Sequence, residues 1–485
     1  MAPRGDSLTS QFGRYTGGRR RWIWDKSGIA WLEEKRKIDG AAGLWRVHDE
    51  LYDLSEFAER HPGGRFWLDI TRGQDITELF EASHCLGTGR PEQQLARCRV
   101  RAATQPRNAP YTFQADGFYR TLKRRAAPVL RRVGTGAGAA TRLVADGGLL
   151  LFLVTGVASA VLHSRLAAAA SGVVLALLLG VGHNFLHQRD NWRMYLLDVP
   201  LLSSAEFRVS HALSHHMFPN TAMDLEVTLL EPVMFFLTHA KRRRGLADAV
   251  VYHLTLLISF FIEGMKRALR WIRGEQRPRP ENALPLLHVL LLAGCAGLWG
   301  RAHGRPADAL LDALGLWTLT VATCGYVFAT LGLAAAHHHP RLYHDGDEPV
   351  AERDWGLRQL DAVGDRAAVR GSPLLVLTTF GDHGLHHLFP TVDHGQLVHL
   401  RGVFDATCAE FGVRYRHFSA WELLRGQHQQ MGRTRPRPSD LMAAPTPDDS
   451  GSARQETGER APHRPPASVA TLQANSNQAS CISQS

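Results

Sequence analysis

The chain alternates between polar stretches and long blocks in which apolar residues follow one another without a charge. Residues 147–162 and 166–182 are two such blocks, parted only by His163, Ser164 and Arg165. Residues 284–300 and 313–336 form a second pair, joined by a short polar stretch. A helix needs roughly 17–25 mostly apolar residues to cross a bilayer core, so the pattern predicts two transmembrane hairpins, four helices in all. A fifth block, residues 249–262, has 14 residues and includes His253. It is expected as an interfacial or protein-buried helix.

Outside these blocks the pattern changes. Residues 1–35 are a basic, tryptophan-containing segment ("RRRWIWDK"), and residues 36–105 read as a compact soluble domain. That domain mixes a short strand pattern with a helix for which Ser55 is the expected N-cap. Residues 106–140 are rich in Pro, Arg and Gly and read as a linker, 141–430 hold the membrane blocks, and 431–485 are Pro/Ser/Gln-rich and expected to be disordered.

Charge refines the picture. The formal net charge is +10, which suits nucleic acid or anionic lipid. No zinc-finger or other nucleic-acid motif accompanies it, so membrane lipid is expected and nucleic acid is not. Arg120, Lys123, Arg124, Arg125, Arg131 and Arg132 precede the first block, and "KRRR" at 241–244 lies between the hairpins. The hairpin tips hold only Arg165, Arg301 and Arg305. By the positive-inside rule both termini and the central loop face the cytosol. The opening "MAPRGDSLTS" lacks an apolar core, so the internal blocks are expected to do the inserting. Six scattered cysteines without a C-x-x-C pair imply neither a disulfide framework nor a zinc site.

Histidine is where the chemistry concentrates. Of 25 histidines, 12 fall in four groups of the membrane half. "HNFLH" places His183 and His187 one turn apart on one helical face. "HALSHHMFPN" carries His211, His215 and His216, with His216 about 100° around the helix from His215. "HGLHHLFP" carries His383, His386 and His387, and "HHHPRLYH" carries His337, His338, His339 and His344 at the end of the fourth block. All are expected on the cytosolic face, where they can close around one site. So many imidazoles without cysteine point to a nitrogen-rich centre holding two ions. One H-x-x-x-H pair is a weak signal; the recurrence carries the argument. A metal transporter is disfavoured, because the rings lie at the membrane face rather than within the spans.

H-x-x-x-H, H-x-x-x-H-H and H-x-x-H-H around two hairpins resemble the boxes of membrane fatty-acid desaturases and related hydroxylases, over about residues 141–426. The resemblance implies that His183, His187, His211, His215, His216, His383, His386 and His387 bind two non-haem iron ions. It also implies a further ligand near the end of the fourth helix, for which His338 is the choice, with His337 and His339 beside it. Asp190, Asp224 and Asp382 lie near the boxes and are candidates for orienting the rings. The third box opens on His383 where front-end desaturases carry Gln, so the double-bond position stays open.

In the front domain, "HPGG" at His61 and a second histidine at His84 suggest a haem iron held from both sides, which transfers electrons rather than activating oxygen. No C-x-x-C-H is present, so such a haem is bound non-covalently, as haem b. The string "LWRVHDELYDLSEFAERHPGGRFWLDITRGQDITELFEASH" resembles the cytochrome b5 domain, a small α+β haem-binding fold, with His61 and His84 as ligands. Leu54, Phe57, Ile70, Ile76 and Phe80 are candidates for its apolar pocket.

Together the resemblances imply a small α+β haem domain followed by an all-α membrane domain of four helices with a cytosolic, histidine-rich cap. The implied reaction is desaturation of a fatty acyl lipid with O₂ and electrons from NADH–cytochrome b5 reductase, at the endoplasmic reticulum membrane. A fatty acyl or sphingolipid hydroxylase, or a non-catalytic membrane-bound haem electron carrier, are the alternatives.

Overall fold

Trp45, Val47 and Leu51 are buried where two short strands begin a small mixed domain. Trp45–Val47, Glu50–Tyr52 and Arg99–Ala102 form an antiparallel sheet in that order. Short helices Arg65–Thr71, Thr77–Ser83 and Arg90–Arg97 cover it. Trp45, Leu54, Leu68, Ile76, Phe80 and Leu95 fill the space between, and the Trp45 indole N–H donates to the Leu68 carbonyl at 3.0 Å. Ser55 caps no helix. It bonds Asp53 within a turn, and helical winding starts only at Ala58.

This computed structural model describes residues 10–12, 15, 26–229, 231, 233–238, 246–302, 309–334 and 336–442. Most of the basic segment 1–35, the run 241–244, Arg305 and the tail from 443 lie outside them.

Helix Gly28–Asp39 starts inside the segment expected as a basic tail. Ser27 caps it, and Trp31 is buried with its indole N–H on the Met223 carbonyl at 2.9 Å. Within the stretch read as a linker, Phe118–Val133 is also helical. Phe118, Leu122, Ala126 and Leu130 repeat every four residues and bury one face, while the basic residues that suggested a linker occupy the other.

The membrane body consists of the hairpins Ala139–Val161/Arg165–Leu186 and Leu284–Ala302/Ala309–Leu333. Arg165–Leu186 is the most enclosed of these helices. Gly172 lets it approach the second hairpin: a Cβ there would come within 2.6 Å of the Thr320 carbonyl oxygen. Outward-facing Leu150, Leu166, Leu286 and Leu311 are exposed, as lipid-facing positions require.

The count of long apolar helices differs from the expected four. Among the described residues five are long and apolar enough to cross a membrane, the additional one being Leu246–Ile272. Charges from Glu263 onward end the apolar block of 14 residues, but they are satisfied within the fold. Arg270 pairs with Glu206 at 2.8 Å, Lys266 pairs with Glu263 at 2.8 Å, and Arg267 donates to the Leu201 carbonyl. This helix bonds to the histidine-bearing cap near both of its ends, at Arg270 and through the Tyr252 hydroxyl to Gln427 at 2.7 Å.

Candidate metal centres

Each histidine group sits where a helix ends or changes its winding. His183 and His187 close the Arg165–Leu186 helix. His211 and His215 lie on a π-helical turn, Arg208–His215, and the His216 N–H donates five residues back to the His211 carbonyl at 2.9 Å. In an α-helix His216 would lie about 140° from His211; the wider turn brings His211, His215 and His216 to one side. Such turns are rare and recur at functional sites. His383, His386 and His387 share the short helix His383–Leu388.

The rings converge into two adjacent nests. One is His183, His187, His211, His216 and His386; the other is His215, His337 and His387. His183 Nε2 lies 2.6 Å from His211 Nε2 and 3.1 Å from His187 Nε2. His337 Nε2 lies 2.6 Å from His383 Nε2 and 3.1 Å from those of His215 and His387. Among the described residues His386 has no hydrogen-bond partner on either ring nitrogen, though it is fully enclosed. Imidazole nitrogens crowded so closely against one another are a donor set that fits metal ions.

The structure places His337, not His338, in the second nest. His338 stacks on Phe236 with ring centroids 3.8 Å apart, and His339 packs against Phe418. The backbone turn at Ala336 (φ 139°) and a bond of 3.0 Å from Asn220 Nδ2 to the His337 carbonyl select which of three consecutive rings faces inward.

Carboxylates orient the rings through the opposite nitrogen. Glu226 accepts from His211 Nδ1 at 2.8 Å, and Asp224 from His215 Nδ1 at 2.9 Å. Gln359 contacts His387 Nδ1 at 3.1 Å. Of the three aspartates suggested by sequence only Asp224 touches a ring; Asp190 pairs with Arg208, and Asp382 with Arg401. Glu226 and Gln359 carry no sequence signal beyond polarity. His394 stands outside the histidine groups in sequence, yet its ring lies 4.1 Å from that of His386 and its Nδ1 meets Asn184.

Burial, reinforced by the neighbouring rings, holds His216, His337, His386 and His387 well below the ordinary imidazole value. They are neutral at physiological pH, the form that binds metal. For His215 burial acts in the same sense, but Asp224 and Glu226 outweigh it and raise the ring to about 9. There a metal ion would replace a proton.

In the front domain His61 and His84 face each other with ring centroids 6.4 Å apart. His61 Nδ1 bonds the Gly64 carbonyl at 2.9 Å and His84 Nδ1 the Phe80 carbonyl at 2.8 Å, which leaves both Nε2 atoms free as acceptors. Burial pushes His84 down to about 4. Leu54, Phe57, Ile76 and Phe80 line the cavity beside them. Ile70 does not; it packs against the larger core. Two imidazoles with opposed Nε2 atoms in an apolar slot fit a haem iron.

Residues 155–419 match the family model described as fatty acid desaturase, and residues 31–102 match the cytochrome b5-like heme/steroid binding domain. The chain is 37% identical over 435 residues to a cytochrome b5-related protein of Drosophila melanogaster, covering 86% of this chain and 97% of that relative. It is 26% identical to a chloroplastic acyl-lipid (7-3)-desaturase of Chlamydomonas reinhardtii, over 76% of this chain and 75% of the relative. To acyl-lipid (8-3)-desaturase B of Dictyostelium discoideum it is 22% identical, over 79% and 89%. No solved structure matches.

Proposed function

Since this chain belongs to the fatty acid desaturase family and carries a cytochrome b5-like haem-binding domain, we propose that it introduces a double bond into the acyl chain of a membrane lipid. The observation that carries this reading is the pair of adjacent imidazole nests. His183, His187, His211, His216 and His386 would hold one iron, and His215, His337, His383 and His387 the other. Bound irons supply, with O₂, the oxidising power to attack unactivated methylenes that acid–base side chains lack.

The chain's own residues do the rest. Glu226, Asp224 and Gln359 fix the ring orientations. A cavity of about 250 Å³, walled by Leu256, Phe260, Phe328 and Phe380, reaches His215 and His383. Its apolar lining suits a hydrocarbon chain and keeps water from the reacting carbon. Polar groups of Glu206, Lys266 and Arg270 lie in the same cavity and suit the lipid's polar end. His61 and His84 would hold the haem that passes on electrons from an NADH–cytochrome b5 reductase. We place the protein in the endoplasmic reticulum membrane, with the nests on the cytosolic side.

The test is expression in desaturase-deficient cells, followed by lipid profiling by mass spectrometry. New double bonds that vanish in His215→Ala and His386→Ala support the reading. New hydroxyl groups would assign the chain to lipid hydroxylation instead. No lipid change, with haem still bound, would favour a non-catalytic electron carrier.

A further inference from the structure

The cavity beside His61 and His84, about 600 Å³, is closed by both halves of the chain. Its far wall includes His187, Gln188, Arg189, Met217 and Thr391, all from the metal-binding half. His187 therefore borders this cavity and also belongs to the first imidazole nest. Gln188 Nε2 is buried there without a partner. Among the described residues no carboxylate pairs with Arg189, whose Cγ lies 3.9 Å from the Cβ position of Gly64 in the HPGG turn.

The two walls are bonded together. Arg208, at the start of the π-helical turn, lies over the rings of Phe66 and Trp67 at 4.8 and 4.9 Å. It also donates to the carbonyls of Leu186 and Gln188 at 2.9 and 3.0 Å, which fixes the segment bearing His187 and Arg189. Thr391 donates to the Ser83 carbonyl at 3.3 Å, next to His84. The Tyr119 hydroxyl lies 3.2 Å from the carbonyls of both Glu81 and Leu388.

We propose that the haem site is completed by the metal-binding half: Gln188 and Arg189 bind a propionate carboxylate of the macrocycle, and His187 forms the partition between the haem cavity and the imidazole nest. The buried, unpaired donor and the unpaired cation both border a cavity whose near side is apolar. An apolar ring system bearing carboxylates matches that division. The inference rests on His61 and His84 holding haem.

It is tested on the full-length, haem-loaded protein by spectroelectrochemical titration and by the rate of haem transfer to apomyoglobin. A nearby cation disfavours the more positive, oxidised haem, and removing it lifts that penalty. Arg189→Ala is therefore expected to move the one-electron potential downward: it removes a charge that repels the oxidised iron, and it leaves the propionate that Arg189 neutralised free to stabilise that iron.

Losing that repulsion stabilises the oxidised form. The expected result is about a tenfold shift toward oxidised haem, a fall of roughly 59 mV, together with severalfold faster haem release. Arg189→Lys should restore most of both. Arg101→Ala, at an exposed arginine outside the cavity, should change neither. Gln188→Leu should speed release alone, and it decides the matter if Arg189→Ala does not fold. Unchanged potential and release in Arg189→Ala with haem bound overturns the proposal. A parent protein that binds no haem overturns the reading of His61 and His84 on which it rests.

Discussion

His215 and His337 meet Nε2 to Nε2 at 3.1 Å, although 122 residues separate them in the chain. His338, one position further on, lies flat against Phe236. Metal content should follow this division. His337→Ala is expected to lose the ion of the second nest, and His338→Ala to keep both ions while losing thermal stability through its stacking contact. Elemental analysis of the purified variants measures it. A metal-depleted His338→Ala beside a replete His337→Ala would reverse the assignment.

Glu226 and Asp224 act through the rings they orient. Glu226→Gln and Asp224→Asn are each expected to weaken metal binding about 10–100-fold, read by competition with a chelator. Asp382→Asn supplies the contrast, because Asp382 pairs with Arg401 and touches no imidazole through its carboxylate. It should lower stability and leave metal affinity unchanged.

Arg208 fastens the haem domain to the metal-binding half. Arg208→Ala removes its placement over two rings and leaves two carbonyls without their donor. The expected cost is roughly 2–4 kcal/mol, seen as a lower unfolding temperature and faster proteolysis between the halves.

Glu81 ties the haem domain to helix Phe118–Val133. Burial opposes its charge, but His48, Lys123 and Arg120 prevail and hold the carboxyl well below the ordinary glutamate value. A depressed folded value means that this contribution is complete above the unfolded value, about 4.3. It is lost as pH falls through the folded value. Stability should therefore decline on acidification below about pH 4.3, and Glu81→Gln should flatten that limb of the curve. An identical acid limb in the variant would rule the contribution out.

The histidine boxes were legible because their ligands lie close together in sequence at helical spacing. What lay beyond them depends on distant contacts. Glu226 and Gln359 reach the rings only through folding, and three consecutive histidines are indistinguishable until the turn at Ala336 selects one. Helix Phe118–Val133 was obscured by its own arginines, which cover the apolar repeat on its other side. The charges that end the block at 249–262 are satisfied by partners, Glu263 for Lys266, the Leu201 carbonyl for Arg267 and Glu206 for Arg270, and local hydropathy does not weigh such pairings.

The π-helical turn at Arg208–His215 also joins two jobs in one short segment. Arg208 at its first position grips the haem domain, and His211 and His215 further along face the imidazole nests. Deleting one residue from the wide turn would rewind it toward ordinary α-helical pitch and rotate both ends relative to each other. The length of this one turn thus sets how the haem-binding domain and the histidine nests are rotated about each other, like two gears keyed to one shaft.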